Sequence, residues 1–147
     1  MQAGVGLIEV LVAVLVLSIG FLGMAALQAM SLSTNNSAMA RSMATIDSYS
    51  IFDAMRADLS NAVSGAYTKK VFANACPASG TTLASVQLHQ WCNQLGLDLG
   101  ASASTSGDIA CTAASGTTTA YCTVTVQFDD SRSGGGSQQQ IVTKAML

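Results

Sequence analysis

The sequence is poor in charged residues and has no basic cluster. Asp, Glu, Lys and Arg make up 10% of its 147 residues, only six residues are Lys or Arg, and the formal net charge is −2. This composition argues against a nucleic-acid-binding surface and against a polybasic membrane anchor. The one basic pair, Lys69 and Lys70, is predicted to lie on a solvated loop.

Sequence motifs for catalysis and metal binding are also missing. The cysteines lack C-x-x-C spacing, which disfavours a zinc site, and the single histidine, His89, lies outside any H-E-x-x-H motif. We therefore expect His89 to be a structural histidine. The G-x-S-x-G motif is absent, and the adjacent carboxylates Asp129 and Asp130 are interpreted as a strand-end cap or solvated turn, with a calcium site as the minor alternative. We expect a protein that is not an enzyme and needs no cofactor.

What the chain has instead is a long apolar segment near its start. Residues 5–30, VGLIEVLVAVLVLSIGFLGMAALQAM, contain one charged side chain, Glu9. As a helix, residues 10–27 alone span roughly 27 Å, close to the thickness of a bilayer core. Apolar residues on every helical face exclude a half-buried strand. The segment is predicted to be a membrane-spanning helix.

Two other interpretations of this segment were considered. A secretory signal peptide would begin with basic residues and have a shorter apolar core, whereas here no Lys or Arg precedes Arg41. A plain signal anchor is the second alternative, with Glu9 at the level of the lipid headgroups, where a carboxylate in the first turn complements the helix dipole.

The apolar pattern changes after residue 30. Residues 31–37 are polar, and apolar side chains then recur in steps of three or four, which indicates one face of an amphipathic helix. The expected stripe consists of Met39, Met43, Ile46, Tyr49, Phe52, Met55, Leu59 and Val63. With Gly65 as its end, we predict one continuous helix of about sixty residues, roughly 90 Å long. Asp53 and Arg56 are expected to pair across one turn.

The rest of the chain is predicted to form one small domain. Residues 67–82 are interpreted as a loop, followed by a short helix within residues 82–97, capped by Thr81, Thr82 or Ser85. Trp91, the only tryptophan, is expected to anchor the core. Residues 96–107 are rich in small and polar residues and are predicted to form a flexible surface loop.

Three strands are predicted towards the C-terminus, at residues 108–112, 119–128 and 139–146. The second has the clearest alternation, with Cys122, Val124, Val126 and Phe128 on one face. The simplest arrangement is an antiparallel meander that covers the helix stripe. The predicted fold class is therefore α+β.

Four cysteines lie beyond the apolar segment: Cys76, Cys92, Cys111 and Cys122. An even number of cysteines in a small exported domain predicts two disulfides and an oxidising compartment. Three pairings are possible. We favour the sequential pairs Cys76–Cys92 and Cys111–Cys122, because the second would bridge neighbouring strands.

Residues 4–11, GVGLIEVL, resemble the processing site of type IV pilins and related pseudopilins. In that superfamily a prepilin peptidase cleaves after a glycine, the new N-terminus is methylated, and the fifth mature residue is a glutamate. The resemblance implies cleavage between Gly4 and Val5 and an assembly role for Glu9. Residues 1–4 would then be the leader, residues 5–30 the membrane and assembly half of the helix, and residues 31–147 a periplasmic domain.

Three further segments, residues 53–57, 88–95 and 124–132, resemble PilV-type minor pilins. The resemblance implies a lollipop-shaped pilin fold, in which a long N-terminal helix packs on a small antiparallel sheet. It also implies a subunit that enters the Gram-negative inner membrane with its domain in the periplasm, and then joins other minor pilins in a priming complex at the pilus tip on the cell surface. Its implied partners are those pilins, the tip adhesin, prepilin peptidase and the pilus assembly machinery, in adhesion and twitching motility.

Glu9 has a physical explanation under this resemblance. A carboxylate near the membrane core costs roughly 2.5–3.5 kcal/mol on insertion scales, and the α-amine of a neighbouring subunit would offset that cost. The alternatives are a pseudopilin of a type II secretion system and a signal-anchored periplasmic binding module that never assembles.

Overall fold

The computed structural model describes residues 4, 6–114 and 118–147, and it shows an α+β fold. A long apolar N-terminal helix packs against a four-stranded antiparallel sheet. The elements in chain order are α1 (Leu7–Ala57), α2 (Leu59–Val63), β1 (Lys69–Phe72), α3 (Leu83–Leu99), β2 (Ser106–Ala113), β3 (Ala120–Phe128), a 3-10 turn (Ser131–Ser133) and β4 (Gln139–Met146). The predicted class is thus confirmed at the level of a long helix on an antiparallel sheet.

Helix α1 has 51 residues, which at about 1.5 Å per residue is roughly 77 Å. Its most apolar stretch of 18 residues has a mean hydropathy of 2.7 and is not covered by the rest of the chain. Among the described residues, α1 is the one helix long and apolar enough to cross a membrane.

The prediction of one continuous helix as far as Gly65 was wrong. Helix α1 ends at Ala57 because Asp58 leaves the helical conformation, and the short helix α2 follows. The Asp58 carboxylate accepts hydrogen bonds from the side chain of Asn61 at 2.7 Å and from the hydroxyl of Tyr67 at 3.0 Å. Burial and the bond to Asp58 raise the pKa of the Tyr67 hydroxyl. These bonds link the break to α2 and to the segment that follows it.

The predicted stripe on α1 matches the buried face only in part. The helix buries Ala44, Asp47, Ser48, Ile51, Phe52 and Met55, so only Phe52 and Met55 of the predicted stripe are fully buried. Met39, Ile46 and Tyr49 are 60, 58 and 55% exposed. Small side chains at positions 44 and 48 let the domain approach α1 closely, and the indole N–H of Trp91 donates to the Asp47 carbonyl oxygen at 2.9 Å.

Helix α3 lies antiparallel to α1 in the same core. Asp47 in the C-terminal part of α1 interacts with Asp98 near the end of α3, whereas Ala54 and Gln87 line a groove at the other end of the contact. Thr82 is the N-cap, and its hydroxyl oxygen accepts the Ser85 N–H at 3.2 Å. As predicted, Trp91 is a buried core residue.

The sheet has four strands in the order β1-β2-β3-β4, one more than predicted. The loop predicted at residues 67–82 is confirmed for residues 73–82 but was wrong for residues 69–72, where β1 pairs Lys69 with Ile109 and Phe72 with Ser106. The basic pair Lys69 and Lys70 therefore lies on an exposed edge strand. A four-residue strand that buries one side chain, Val71, has too little alternation to be recognised in the sequence.

The loop predicted at residues 96–107 is also shorter than expected. Helix α3 extends to Leu99 and ends at Gly100, whose φ of +96° suits glycine, and β2 begins at Ser106. Strand β3 matches its prediction, since Cys122, Val124, Val126 and Phe128 are buried in the core.

Two disulfides join the elements of the domain, in the pairing that we favour from the sequence. Cys76–Cys92 ties the segment after β1 to α3, and Cys111–Cys122 links directly opposed residues of β2 and β3. Each closes a loop of a size that stabilises a folded domain by about 3 kcal/mol.

Gly107 offers a test of this packing. A Cβ at position 107 would overlap the ring of Trp91 and the side chain of Leu95. We expect Gly107→Ala to lower the free energy of unfolding by about 1–3 kcal/mol, because a well-packed core resists added volume. Chemical denaturation of the full chain in detergent measures this change. Gly136→Ala is the matched control, since its Cβ has room, and an equal loss in both variants would contradict the packing described.

Candidate functional site

The N-terminal end of α1 carries the residues that the sequence singles out. Gly4 is exposed, and Val5, the other processing residue, lies outside the described residues. Gly6 is the N-cap of α1, and Glu9 occupies the first turn, where its backbone N–H donates to the Gly6 carbonyl oxygen at 2.9 Å. The structure therefore places Glu9 at the positive end of the helix dipole.

Glu9 has no ion-pair partner within the described part of its own chain. The ion pairs there join Arg41 to Asp130 and Arg56 to Asp53, the second at 2.7 Å as the sequence predicts. The side chain of Glu9 is exposed on an isolated stretch of helix whose nearest side chains, such as Val10 and Ala13, are apolar. None of the described residues therefore supplies a counter-charge for Glu9.

The surface of the apolar half of α1 is open on all sides. The Ser18 hydroxyl donates to the Val14 carbonyl oxygen at 2.7 Å, so its polar atom is satisfied within the helix. At Gly20 and Gly23 an added Cβ would meet no atom of this chain within 4 Å. Two glycines three residues apart leave a flat patch on which another helix can approach closely.

A second apolar surface lies on the half of α1 that packs against the domain. We name it the outer stripe, and it consists of Leu32, Met39, Ile46 and Tyr49. The first three follow one another at seven-residue steps, which returns each to nearly the same face of a helix. This face is opposite the one that Ala44 and Ile51 bury against the domain. The outer stripe ends at the exposed ion pair between Asp53 and Arg56.

The loop between β3 and β4 fastens the domain to α1 near the apolar half. Asp130 is buried there, and its carboxylate accepts the Ser37 hydroxyl at 2.5 Å and lies 3.9 Å from the guanidinium of Arg41. Gly135 packs against this carboxylate so tightly that a Cβ would overlap it. The sequence did not reveal this contact, because the partners are more than ninety residues apart.

The neighbouring Asp129 has a different partner. Its carboxylate accepts the backbone N–H of Ser131 at 2.9 Å, and the hydrogen bonds from Ser131 lower the pKa of Asp129. Asp129 thus lies in the exposed turn that the sequence indicates, whereas Asp130 is buried against α1, so the expectation of a solvated turn was wrong for Asp130. Within the described ranges, no group of three or more His, Cys, Asp or Glu side chains is arranged to hold a metal ion.

His89 is held by hydrogen bonds on both ring nitrogens. Its Nδ1 lies 2.7 Å from the Pro77 carbonyl oxygen, which requires Nδ1–H to donate, and its Nε2 lies 3.0 Å from the side-chain nitrogen of Asn93. Pro77 follows Cys76, so the contact supports the region of the first disulfide. The expectation of a structural histidine is confirmed.

Comparisons with protein-family models, curated proteins and solved structures returned no match to this chain. The class of this protein is therefore stated from its own structural features. It is an α+β protein with two disulfides and with one helix, among the residues described, that is long and apolar enough to cross a membrane.

Proposed function

We propose that this protein is a minor pilin of a type IV pilus, of the PilV type. It is inserted in the Gram-negative inner membrane through the apolar half of α1, with the domain in the periplasm. It then joins other minor pilins in the priming complex at the pilus tip, where it supports the tip adhesin in adhesion and twitching motility. The resemblance of residues 4–11 to a prepilin processing site motivates this proposal, and the lollipop layout of helix and sheet supports it.

The observation that carries the proposal is the length of uncovered apolar surface on α1. Exposed apolar side chains occur on α1 from Leu7 to Tyr49, over roughly 63 Å or about twice the thickness of a bilayer core, with Leu32 as the one large apolar side chain in the polar segment 31–37. A plain signal anchor needs only about 20 apolar residues. The outer stripe lies beyond that length and is not covered by the chain's own domain. Helices of neighbouring subunits would cover it in a fibre.

Glu9 gives such a fibre its register. In the single chain it is a carboxylate on an apolar helix, without a partner among the described residues. A free α-amine at position 5 of a neighbour, created by cleavage after Gly4, would supply the opposite charge. Pairing in an apolar environment favours the one stagger that brings both charges together, because any other leaves a charge unpaired.

Glu9→Gln tests this role. The variant is expected to insert in the membrane and to be cleaved normally, but its amount in purified fibres falls by more than about a hundredfold. An unpaired buried charge costs about 3–5 kcal/mol, and each 1.4 kcal/mol is a factor of ten. Immunoblots of sheared fibres and of membranes measure the two pools. Asp53→Asn, on the exposed side of the same helix, is the control, and wild-type incorporation of Glu9→Gln would refute the assembly role.

Ile46→Gln tests the outer stripe. Because Ile46 is largely exposed in the single chain, Ile46→Gln should change the protein's free energy of unfolding by no more than about 0.5 kcal/mol. If neighbouring subunits bury Ile46, the amount of the variant in purified fibres falls about ten- to a hundredfold, since burying an isoleucine contributes about 1.5–3 kcal/mol. Leu97→Gln is the matched control, because Leu97 is also a largely exposed apolar residue and lies on α3. If both variants are incorporated into fibres equally, the outer stripe is not part of the proposed interface.

Two measurements separate the proposal from its alternatives. Mass spectrometry of the mature protein is expected to find cleavage after Gly4 and a methylated Val5, and an uncleaved chain would identify an anchored module that does not assemble. Co-purification from membranes is expected to recover pilus-tip pilins. Recovery of type II secretion subunits in their place would assign the chain to the pseudopilins.

A further inference from the structure

Asp47 is an unusual residue for the interior of a small domain. Its side chain is 1% exposed on the buried face of α1, between Ala44 and Ile51. Within the described residues, its Oδ2 atom has no hydrogen-bond partner. An ionised carboxylate in such a place would lose its hydration without compensation. The uncharged acid is the form that this environment favours.

A second carboxyl group faces Asp47 across the helix pair. Asp98 lies in the last turn of α3, half-buried, with its carboxyl group within hydrogen-bonding reach of Asp47. The side-chain amide of Gln94 donates to Asp98 Oδ2 at 2.8 Å and orients it. Trp91 fixes the other partner, because its indole N–H donates to the Asp47 carbonyl oxygen. The charge of Asp98 disfavours the ionised form of Asp47.

No cation compensates the pair within the part of the chain described. Arg41, about one and a half turns before Asp47 on α1, faces Asp130 of the β3–β4 loop. Arg56 pairs with Asp53 on the exposed face of the helix. The core-facing side chains of β3 and β4 are uncharged, and they are Ala120, Cys122, Val124, Val126, Phe128, Gln139, Ile141, Thr143 and Ala145. Burial first, and then the charge of Asp98, raises the pKa of Asp47 to about 7.

We propose that Asp47 and Asp98 share one proton, and that this proton fastens helix α3 to helix α1 and makes their packing sensitive to pH. Protonated Asp47 donates its O–H to the Asp98 carboxylate, which is already held by Gln94. Loss of the proton leaves two facing negative charges, one of them buried. The contact lies where α3 ends against the C-terminal part of α1, so its loss releases the C-terminal end of α3.

The direction of the effect follows from linkage between protonation and folding. Asp47 binds its proton more tightly in the folded chain than in the unfolded chain, where its pKa is near 3.8. Its contribution to stability is therefore complete below about pH 4 and is lost as pH rises through about 7. Between these values the unfolding equilibrium constant rises by up to about tenfold per pH unit, and it levels off above pH 7.

The test compares unfolding of the full chain in detergent micelles from pH 5 to pH 8.5, in wild type and in Asp47→Asn. Asparagine keeps the shape and donates a hydrogen bond to Asp98 at every pH. Over this range the unfolding equilibrium constant of the wild type should rise by up to about a hundredfold. That of the variant should be nearly independent of pH. Asp53→Asn is the control on the same helix, and it should retain the wild-type slope.

Infrared spectroscopy gives a second readout that a purely structural role would not change. The carbonyl band of a protonated carboxyl group should be present in the wild type at pH 6, decline towards pH 8.5 and be missing in Asp47→Asn. Identical pH slopes in wild type and Asp47→Asn would overturn the proposal. So would stabilisation by calcium or magnesium at pH 8 that disappears in Asp47→Asn, because it would assign the pair to a divalent cation.

Discussion

Helix α1 has apolar side chains on two opposite faces, and the domain of its own chain covers only one of them. Ile51 and Met55 pack into the core, while Met39 and Ile46 face away from it. The rest of the structure depends on this division. It fixes which side of the helix the sheet and α3 occupy, and it leaves an apolar surface that runs from the membrane half of α1 to Tyr49.

The covered face is built from small residues and tight contacts. Ala44 and Ser48 bring α3 close enough for Trp91 to donate a hydrogen bond to the α1 backbone, and Gly107 of β2 makes room for the same indole ring. One residue, Trp91 of α3, therefore joins α1, α3 and the sheet. This explains how a domain with few aromatic residues packs a well-defined core.

Covalent and polar contacts hold the ends of this core. The two disulfides tie the segment after β1 to α3 and β2 to β3, and Asp130 joins the β3–β4 loop to Ser37 and Arg41 of α1. The Asp130 contact lies only about 10 Å along the helix from residue 30, where the apolar half of α1 ends. The domain is thus fastened to α1 close to the level at which the helix would leave a membrane.

The sequence by itself determined the features that depend on local composition: the long apolar helix, the exposed position of Glu9 in its first turn, the alternation of β3 and the α+β class. The sequential disulfides were a preference among three pairings, and the structure contains them. Only the tertiary structure decided which face of α1 is buried, the break at Asp58, the strand β1 and the meeting of Asp47 with Asp98. The physical reason is that periodicity shows where apolar side chains lie on a helix, whereas the shape of the partner surface decides which of them it covers. On α1 that surface fits small residues better than large ones.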